Sequence, residues 1–248
     1  MKNMNIIPGR NAYAGKIGRL REEFCASFIE EKQKAFGRIQ TDIFVKIEAK
    51  GESITCHKGC SVCCVLFVEA GIQECEAVVY HLHRNPQVLT HFLKQYVDWR
   101  AHMRSLGGAF ALCEDILHRN GQERLSQVDQ AMLLKALASY QQQNMPCSFL
   151  DGAECSIYEV RPYVCANHYV TTPEAWCQAE NWCNPDFPNR PRIYMTELEE
   201  IDDRSFYLGN LSRPVISFFQ TTVYRILTGG MPYVAEIAGF ETLTAGAS

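Results

Sequence analysis

Between Cys56 and Cys64 the chain places four thiols within nine residues, Cys56-His57-Lys58-Gly59-Cys60-Ser61-Val62-Cys63-Cys64, spaced C-x3-C-x2-C-C. Burial of cysteine as a small hydrophobe needs no fixed spacing, whereas metal ligation does. Soft thiolates select zinc, copper(I) or iron–sulfur clusters. Gly59 allows a tight backbone turn just ahead of a ligand. On an ideal helix Cys56, Cys60 and Cys63 would share one face, yet Cys56 and Cys63 would lie about 10 Å apart along the axis at a ~1.5 Å rise per residue. A single zinc with bonds of about 2.3 Å does not bridge that gap. The segment is therefore expected to be a folded loop, or to serve more than one metal atom.

A second stretch, from Pro146 to His168, adds Cys147, Cys155, Cys165 and His168. Together the two read C-x3-C-x2-C-C followed by Pro146-Cys147-x-Phe149-Leu150-x-Gly152, then Cys155-x-Ile157-Tyr158-x-x-Arg161-Pro162-x-x-Cys165. This pair of motifs resembles the YkgJ-type cysteine-cluster family, the CxxxCxxCC domain described as zinc- or iron-chelating. The chain carries one more residue than that pattern between Gly152 and Cys155. The likeness runs from about 56 to 168, with its specific residues at the two ends of that span. It implies a metal centre drawn from Cys56, Cys60, Cys63, Cys64, Cys147, Cys155 and Cys165. Flagellin lysine-N-methylase resembles the same family, which admits S-adenosylmethionine-dependent methyl transfer among the implied activities.

Seven thiols exceed by three the four that close a structural zinc site. Zinc or iron is expected, and the surplus favours paired metals or a [4Fe–4S] cluster, since cysteines at such spacings hold clusters. Side chains of neighbouring residues diverge in a helix or a strand, so Cys63 and Cys64 are expected to point at different atoms. Cys165-x2-His168 has ligand-like spacing. Arg161 is open to two readings: a turn residue bonded to backbone carbonyls, or a fixed positive charge compensating thiolates. The spacing of Cys56, Cys60 and Cys63 also matches radical S-adenosylmethionine enzymes. Against that, the chain lacks strand–helix alternation, and Val62 stands where an aromatic is usual.

With 248 residues the chain can bury a core without metals as props. It is expected to form a single domain, mainly α, around an irregular cysteine-rich centre. The net charge of −4 and the lack of a basic run leave no phosphate-neutralising footprint, so no nucleic-acid partner is expected. The only apolar pair in Met1–Arg10 is Ile6-Ile7, too little for a signal peptide. No stretch has the apolar length of a membrane span. A reducing cytoplasm is expected, where twelve cysteines indicate metal or redox chemistry and not disulfides.

Along the chain, Ala14–Lys50 predicts one long helix or two in series. Its stripe is Ile17, Leu20, Phe24, Phe28, Phe36, Ile39, Ile43 and Ile47, broken at Lys32, with Gly37 as a bend and Gly51 as the C-cap. Gln73–Arg84 predicts a helix with Val78, Val79 and Leu82 inward and His81 solvated. Asn85-Pro86 opens the next, striped with Leu89, Phe92, Tyr96, Trp99, Met103 and Leu106. The helical pattern breaks at Gly107-Gly108, resumes over Ala109–His118 and turns at Asn120-Gly121. Ser126 starts a helix running to about Gln143, with Leu133, Leu137 and Tyr140 inward. Cys25, Cys75 and Cys113 fall within helical patterns and are expected to pack. Asn144–Pro191, which also holds Cys177 and Cys183, is expected to be irregular or short-stranded and held by metal. Beyond Arg192 helix is expected again, with one opening at Ser212-Arg213-Pro214, carrying Val215, Phe219, Thr222 and Ile226 on one face and ending at Gly229-Gly230. Three function classes follow: a metal or iron–sulfur protein, a metal- or cluster-dependent enzyme, and a zinc-stabilised interaction module.

Overall fold

A computed structural model describes residues 6–105, 126–178, 181, 191–195 and 216–237. The expectations for Leu106, Gly107-Gly108, Cys113, Ala109–His118, Asn120-Gly121, Cys183 and Ser212–Val215 lie outside those residues, as does the side chain of Leu133. The described chain is mainly α: α1 (Gly9–Ala12), α2 (Gly15–Glu48), α3 (Ile72–Arg84), α4 (Pro86–Ser105), α5 (Gln127–Gln142), α6 (Tyr163–Ala166) and α7 (Phe219–Ile237).

α2 is one unbroken helix of 34 residues that continues through Gly37. Gly51 follows it at φ 68°, and the Glu52 amide reaches back to the Ile47 carbonyl at 3.2 Å. This is the left-handed terminus that glycine permits. The buried face departs from the expected stripe in its first half. Ile17 and Leu20 are 51% and 47% exposed, while Arg21 and Lys32 are 2% and 1% exposed in line with Cys25 and Phe28. Charged positions belong to this face because buried charges are retained when paired. Arg21 clasps Glu76 with Nε and Nη2 at 2.7 and 2.8 Å, and Lys32 meets Glu74 at 2.8 Å. Lys32 is thus part of the packed face and not a break in it. Ile39, Ile43 and Ile47 are buried as expected, but the apolar face resumes at Ala35, with Phe36 half-buried.

Both glutamates belong to α3, which is buried along almost its whole length and packs against α2, α4 and α7. Val78, Val79 and Leu82 point inward as expected; His81 is half-buried. Cys75 is fully buried on α3, as Cys25 is on α2. α4 opens on Pro86, with the Asn85 carbonyl accepting from the Leu89 amide at 3.0 Å. Its Phe92, Tyr96, Trp99 and Met103 are buried, and Phe92 stacks on Phe149 at 4.4 Å between centroids. Tyr140 on α5 joins the same core. A second, smaller core gathers the later α2 residues with Ala77, Tyr163 and Tyr194.

The strands are short and paired antiparallel. β1 (Glu69–Gly71) pairs with β6 (Ile216–Phe218), in register Ala70 to Ser217. β2 (Leu150–Asp151) and β3 (Glu154–Cys155) form a hairpin. β4 (Tyr169–Val170) pairs with β5 (Ile193–Tyr194). Helix was expected after Arg192; the chain instead forms β5, whose partner β4 supplies the backbone bonds that two isolated residues lack. The helix expected to include Val215 begins at Phe219, because Ile216–Phe218 is taken up by pairing with β1. Gly230, at φ 58°, kinks α7 where the helix was expected to end, and Val234 beyond the kink is buried.

Candidate metal centre

The first cysteine stretch is a folded loop. After the Gly51 turn the chain runs extended beside β4: the Thr55 amide donates to the Val170 carbonyl at 2.9 Å, and the Val170 amide donates to Cys56 Sγ at 3.2 Å. Gly59, at φ 93°, then reverses the backbone, and the Cys60 amide closes on the His57 carbonyl at 3.0 Å. A 3-10 turn over Val62–Val65 carries Cys63 and Cys64. The spacing that would strand these thiols along a helix is folded up by a glycine in the left-handed region.

The second stretch is anchored by packing of its own. Phe149, Ile157, Val160 and Tyr163 are buried. The Ser148 amide donates to Gln220 on α7 at 2.7 Å, and His91 on α4 bonds the Leu150 carbonyl at 2.9 Å. The hairpin sets Cys155 opposite Leu150, and the residue by which this gap exceeds the family-like pattern lies within it. The Tyr163 amide, at the start of α6, donates to Glu74 at 2.7 Å. The Cys165 turn is thereby fixed to the buried ion pair of α2 and α3.

All seven predicted thiols line one cavity of about 270 Å³. Cys165 is exposed as a residue, although its thiol on the cavity wall is desolvated, and the other six are half-buried. His168 and Arg161 line it as well. The two stretches also meet directly, through the bond from the Cys147 amide to the Cys64 carbonyl. Cys177 is buried on the 3-10 turn Glu174–Cys177, which packs against the Val62–Val65 turn; burial pushes its thiol up to about 12, and the neighbouring Cys56, Cys63 and Cys60 add to the shift. Sequence spacing gave no means of ranking Cys177 with the first motif, because the proximity arises from contact between two turns far apart in the chain.

Amide donors point at several sulfurs. Cys60 accepts from the Val62 amide, Cys147 from Phe149 and Cys155 from Ile157, each two residues on, and Cys56 accepts from Val170. Bonds to the ionised form favour it. Burial acts the other way and dominates, pushing Cys56, Cys60, Cys155 and Cys165 up and Cys147 to about 12. Cys63 is the contrast: the thiol of Cys64 donates to it and holds it below the usual cysteine value, with Arg161 assisting, while Cys64 is pushed up. The expected divergence of Cys63 and Cys64 is therefore not seen. Divergence applies to helix and strand, and a 3-10 turn keeps both thiols on the cavity wall.

Arg161 makes no hydrogen bond to a backbone carbonyl among the described residues; its guanidinium lies 3.6 Å from the centroid of the Tyr158 ring, and its buried Nε has no hydrogen-bond partner. Charge compensation is the reading this arrangement favours. Among the described residues no three His, Cys, Asp or Glu side chains converge as a ready-made metal cage. The donor set nonetheless suits a thiophilic metal: unbridged thiols around one space, amide protons directed at four of the sulfurs, and a fixed cation beside them.

Among the described residues no helix is long and apolar enough to cross a membrane. No curated protein and no solved structure matches the chain. A family model does match, over residues 55–184, just over half of the chain; the family is CxxCxxCC, described as "Putative zinc- or iron-chelating domain". The first gap here, three residues between Cys56 and Cys60, is one longer than the spacing in the family's name. Loop, hairpin and cavity all fall within the matched span, and the chain belongs to the CxxCxxCC family of zinc- or iron-chelating domains.

Proposed function

We propose that Cys56, Cys60, Cys63, Cys64, Cys147, Cys155 and Cys165 form one metal centre, filled by an iron–sulfur cluster or by paired metals in place of a single zinc. The observation that carries this reading is the shared cavity: seven thiols from two distant stretches face the same 270 Å³ space. A structural zinc takes four ligands and closes, and a single cluster is likewise held by four thiolates, so the surplus of three points most directly to paired metals sharing thiolates. Three thiols left over beside a thiolate site would invite oxidation without evident gain.

The chain's own part in binding is proton release and orientation. Ligating thiols must deprotonate, and burial holds most of them neutral until a cation arrives. The amides of Val62, Phe149, Ile157 and Val170 then supply fixed donors to sulfur, and Arg161 supplies fixed positive charge. A bound cluster or metal pair would provide electron transfer, Lewis acidity or metal storage. The reading implies a reducing compartment, where free thiols persist.

Metal and acid-labile sulfide analysis on protein prepared without oxygen tests it. More than one metal per chain, or iron with matching sulfide, is expected. One zinc per chain, with neither iron nor sulfide after iron-supplemented anaerobic expression, would overturn it.

A further inference from the structure

The ionisable groups on the cavity wall are not evenly mixed. Lys58 and Arg161 line it, with His57 and His168; no aspartate or glutamate lines it, although the Glu174 carboxylate accepts from the thiol of Cys60 on its wall, in a chain of net charge −4. Arg161 forms no ion pair with a carboxylate among the described residues. Its guanidinium is held in place by the Tyr158 ring, and the Lys58 ammonium sits over the same ring at 5.7 Å. A guanidinium stays charged, and its planar fork matches a carboxylate through two parallel hydrogen bonds. Much of the remaining wall is apolar, including Leu66, Phe67, Phe149 and Phe219.

Size adds a second constraint. The cavity measures about 270 Å³. A dry cavity of about 150 Å³ already accepts benzene. Metal ions alone leave much of such a space unfilled.

We propose that the cavity binds a small organic carboxylate with an apolar body, its carboxylate on the Arg161 fork and its body against Phe67 and Phe149, beside the metal. This rests on the metal reading in one respect only, that the body lies beside a metal; the carboxylate's own partners are the Arg161 fork and the Lys58 ammonium. Phosphate fits less well, because its further oxygens would face apolar wall without partners.

The test uses the metal-loaded full chain and three probes: benzoate, its neutral isostere benzamide, and inorganic phosphate. Calorimetric titration should show benzoate binding about tenfold or more tighter than either other probe, the ratio expected for a charge-assisted hydrogen bond. Compared at equal metal loading, Arg161→Gln should lose that advantage, and Lys58→Gln should weaken benzoate a few-fold. Equal binding of benzoate and benzamide, or unchanged benzoate binding in Arg161→Gln, would overturn the proposal. Metal is measured on the same samples, so the two readings fail separately. Metal without benzoate binding sinks the carboxylate site alone, and benzoate binding to a chain that takes no metal sinks the metal centre alone.

Discussion

The backbone N–H of Cys147 donates to the carbonyl of Cys64 at 2.8 Å, joining the last thiol of the first cysteine stretch to the first thiol of the second. A second tie runs from the Val170 amide to Cys56 Sγ at 3.2 Å, just past the end of the second stretch. The two motifs are thus held together by backbone before any metal is considered. Cys60→Ser and Cys155→Ser, one from each stretch, should each lower bound metal and the melting temperature. Full metal content and an unchanged melting temperature in Cys155→Ser would show that the stretches do not act jointly.

The buried cysteines away from the cavity should behave differently. Cys25 on α2 and Cys75 on α3 are fully buried in helix packing. Alanine at either should leave metal stoichiometry unchanged and cost on the order of 1 kcal/mol from the lost contacts. Cys113, which lies outside the described residues and within a helical pattern of the sequence, should also tolerate alanine without loss of metal. Loss of metal in Cys75→Ala would be the most damaging result, because Cys75 is the nearest of the three in sequence to the first cysteine loop.

Much of this was legible in the sequence, for reasons that differ by element. The α4 stripe from Phe92 to Met103 was readable because apolar side chains at helical spacing have one use in a polar solvent. Gly51 and Gly59 were readable because positive φ is nearly theirs alone, and both adopt it. The first half of the α2 face was not, since Arg21 and Lys32 are buried only by virtue of Glu76 and Glu74, which lie on another helix. Nor were β5 and β6, whose few residues are strands only because β4 and β1 pair with them. In the site, spacing identified the thiols; it did not reveal that Phe149, Ile157 and Val160 pack the second stretch independently of metal.

Acid should loosen the loop that leads into the first motif. Glu52 accepts hydrogen bonds from Thr171 and Tyr194 and pairs with Arg192, and these partners, Thr171 first, hold its carboxyl below the usual value. A carboxyl depressed in the folded state adds stability that is complete above its unfolded pKa, about 4.3, and is lost as pH falls through the folded value. The melting temperature should therefore drop on acidification across that window, and less steeply in Glu52→Gln. That variant should also melt lower than the parent at neutral pH. Parallel melting curves for the two proteins from pH 7 to pH 3 would remove Glu52 from the account.

The ion pair of Lys32 and Glu74 offers the sharpest test of how the helical frame supports the site. Glu74 is nearly fully buried and accepts from three directions: Lys32 Nζ at 2.8 Å, the Gly71 amide at 3.1 Å and the Tyr163 amide at 2.7 Å. It thereby ties α2 to the first turn of α3 and to α6, whose third residue is Cys165. Lys32 has few alternatives, lying among the rings of Phe28, Phe36 and Tyr163 with the Tyr163 centroid 4.8 Å away. Removing one member of a buried pair leaves an uncompensated charge and costs about 3–5 kcal/mol, whereas exchanging both for apolar groups of similar volume is often close to neutral. Glu74→Gln should therefore destabilise by about that amount in denaturant unfolding. Lys32→Met combined with Glu74→Gln should recover much of the loss, since the glutamine oxygen still accepts from the Tyr163 amide. Lys32→Met with Glu74→Leu should recover less, because both amides then lose their acceptor. Metal content should follow the amide and not the charge, falling in the leucine variant and holding in the glutamine double variant. Equal metal in the two double variants would show that the Glu74–Tyr163 bond does not position Cys165.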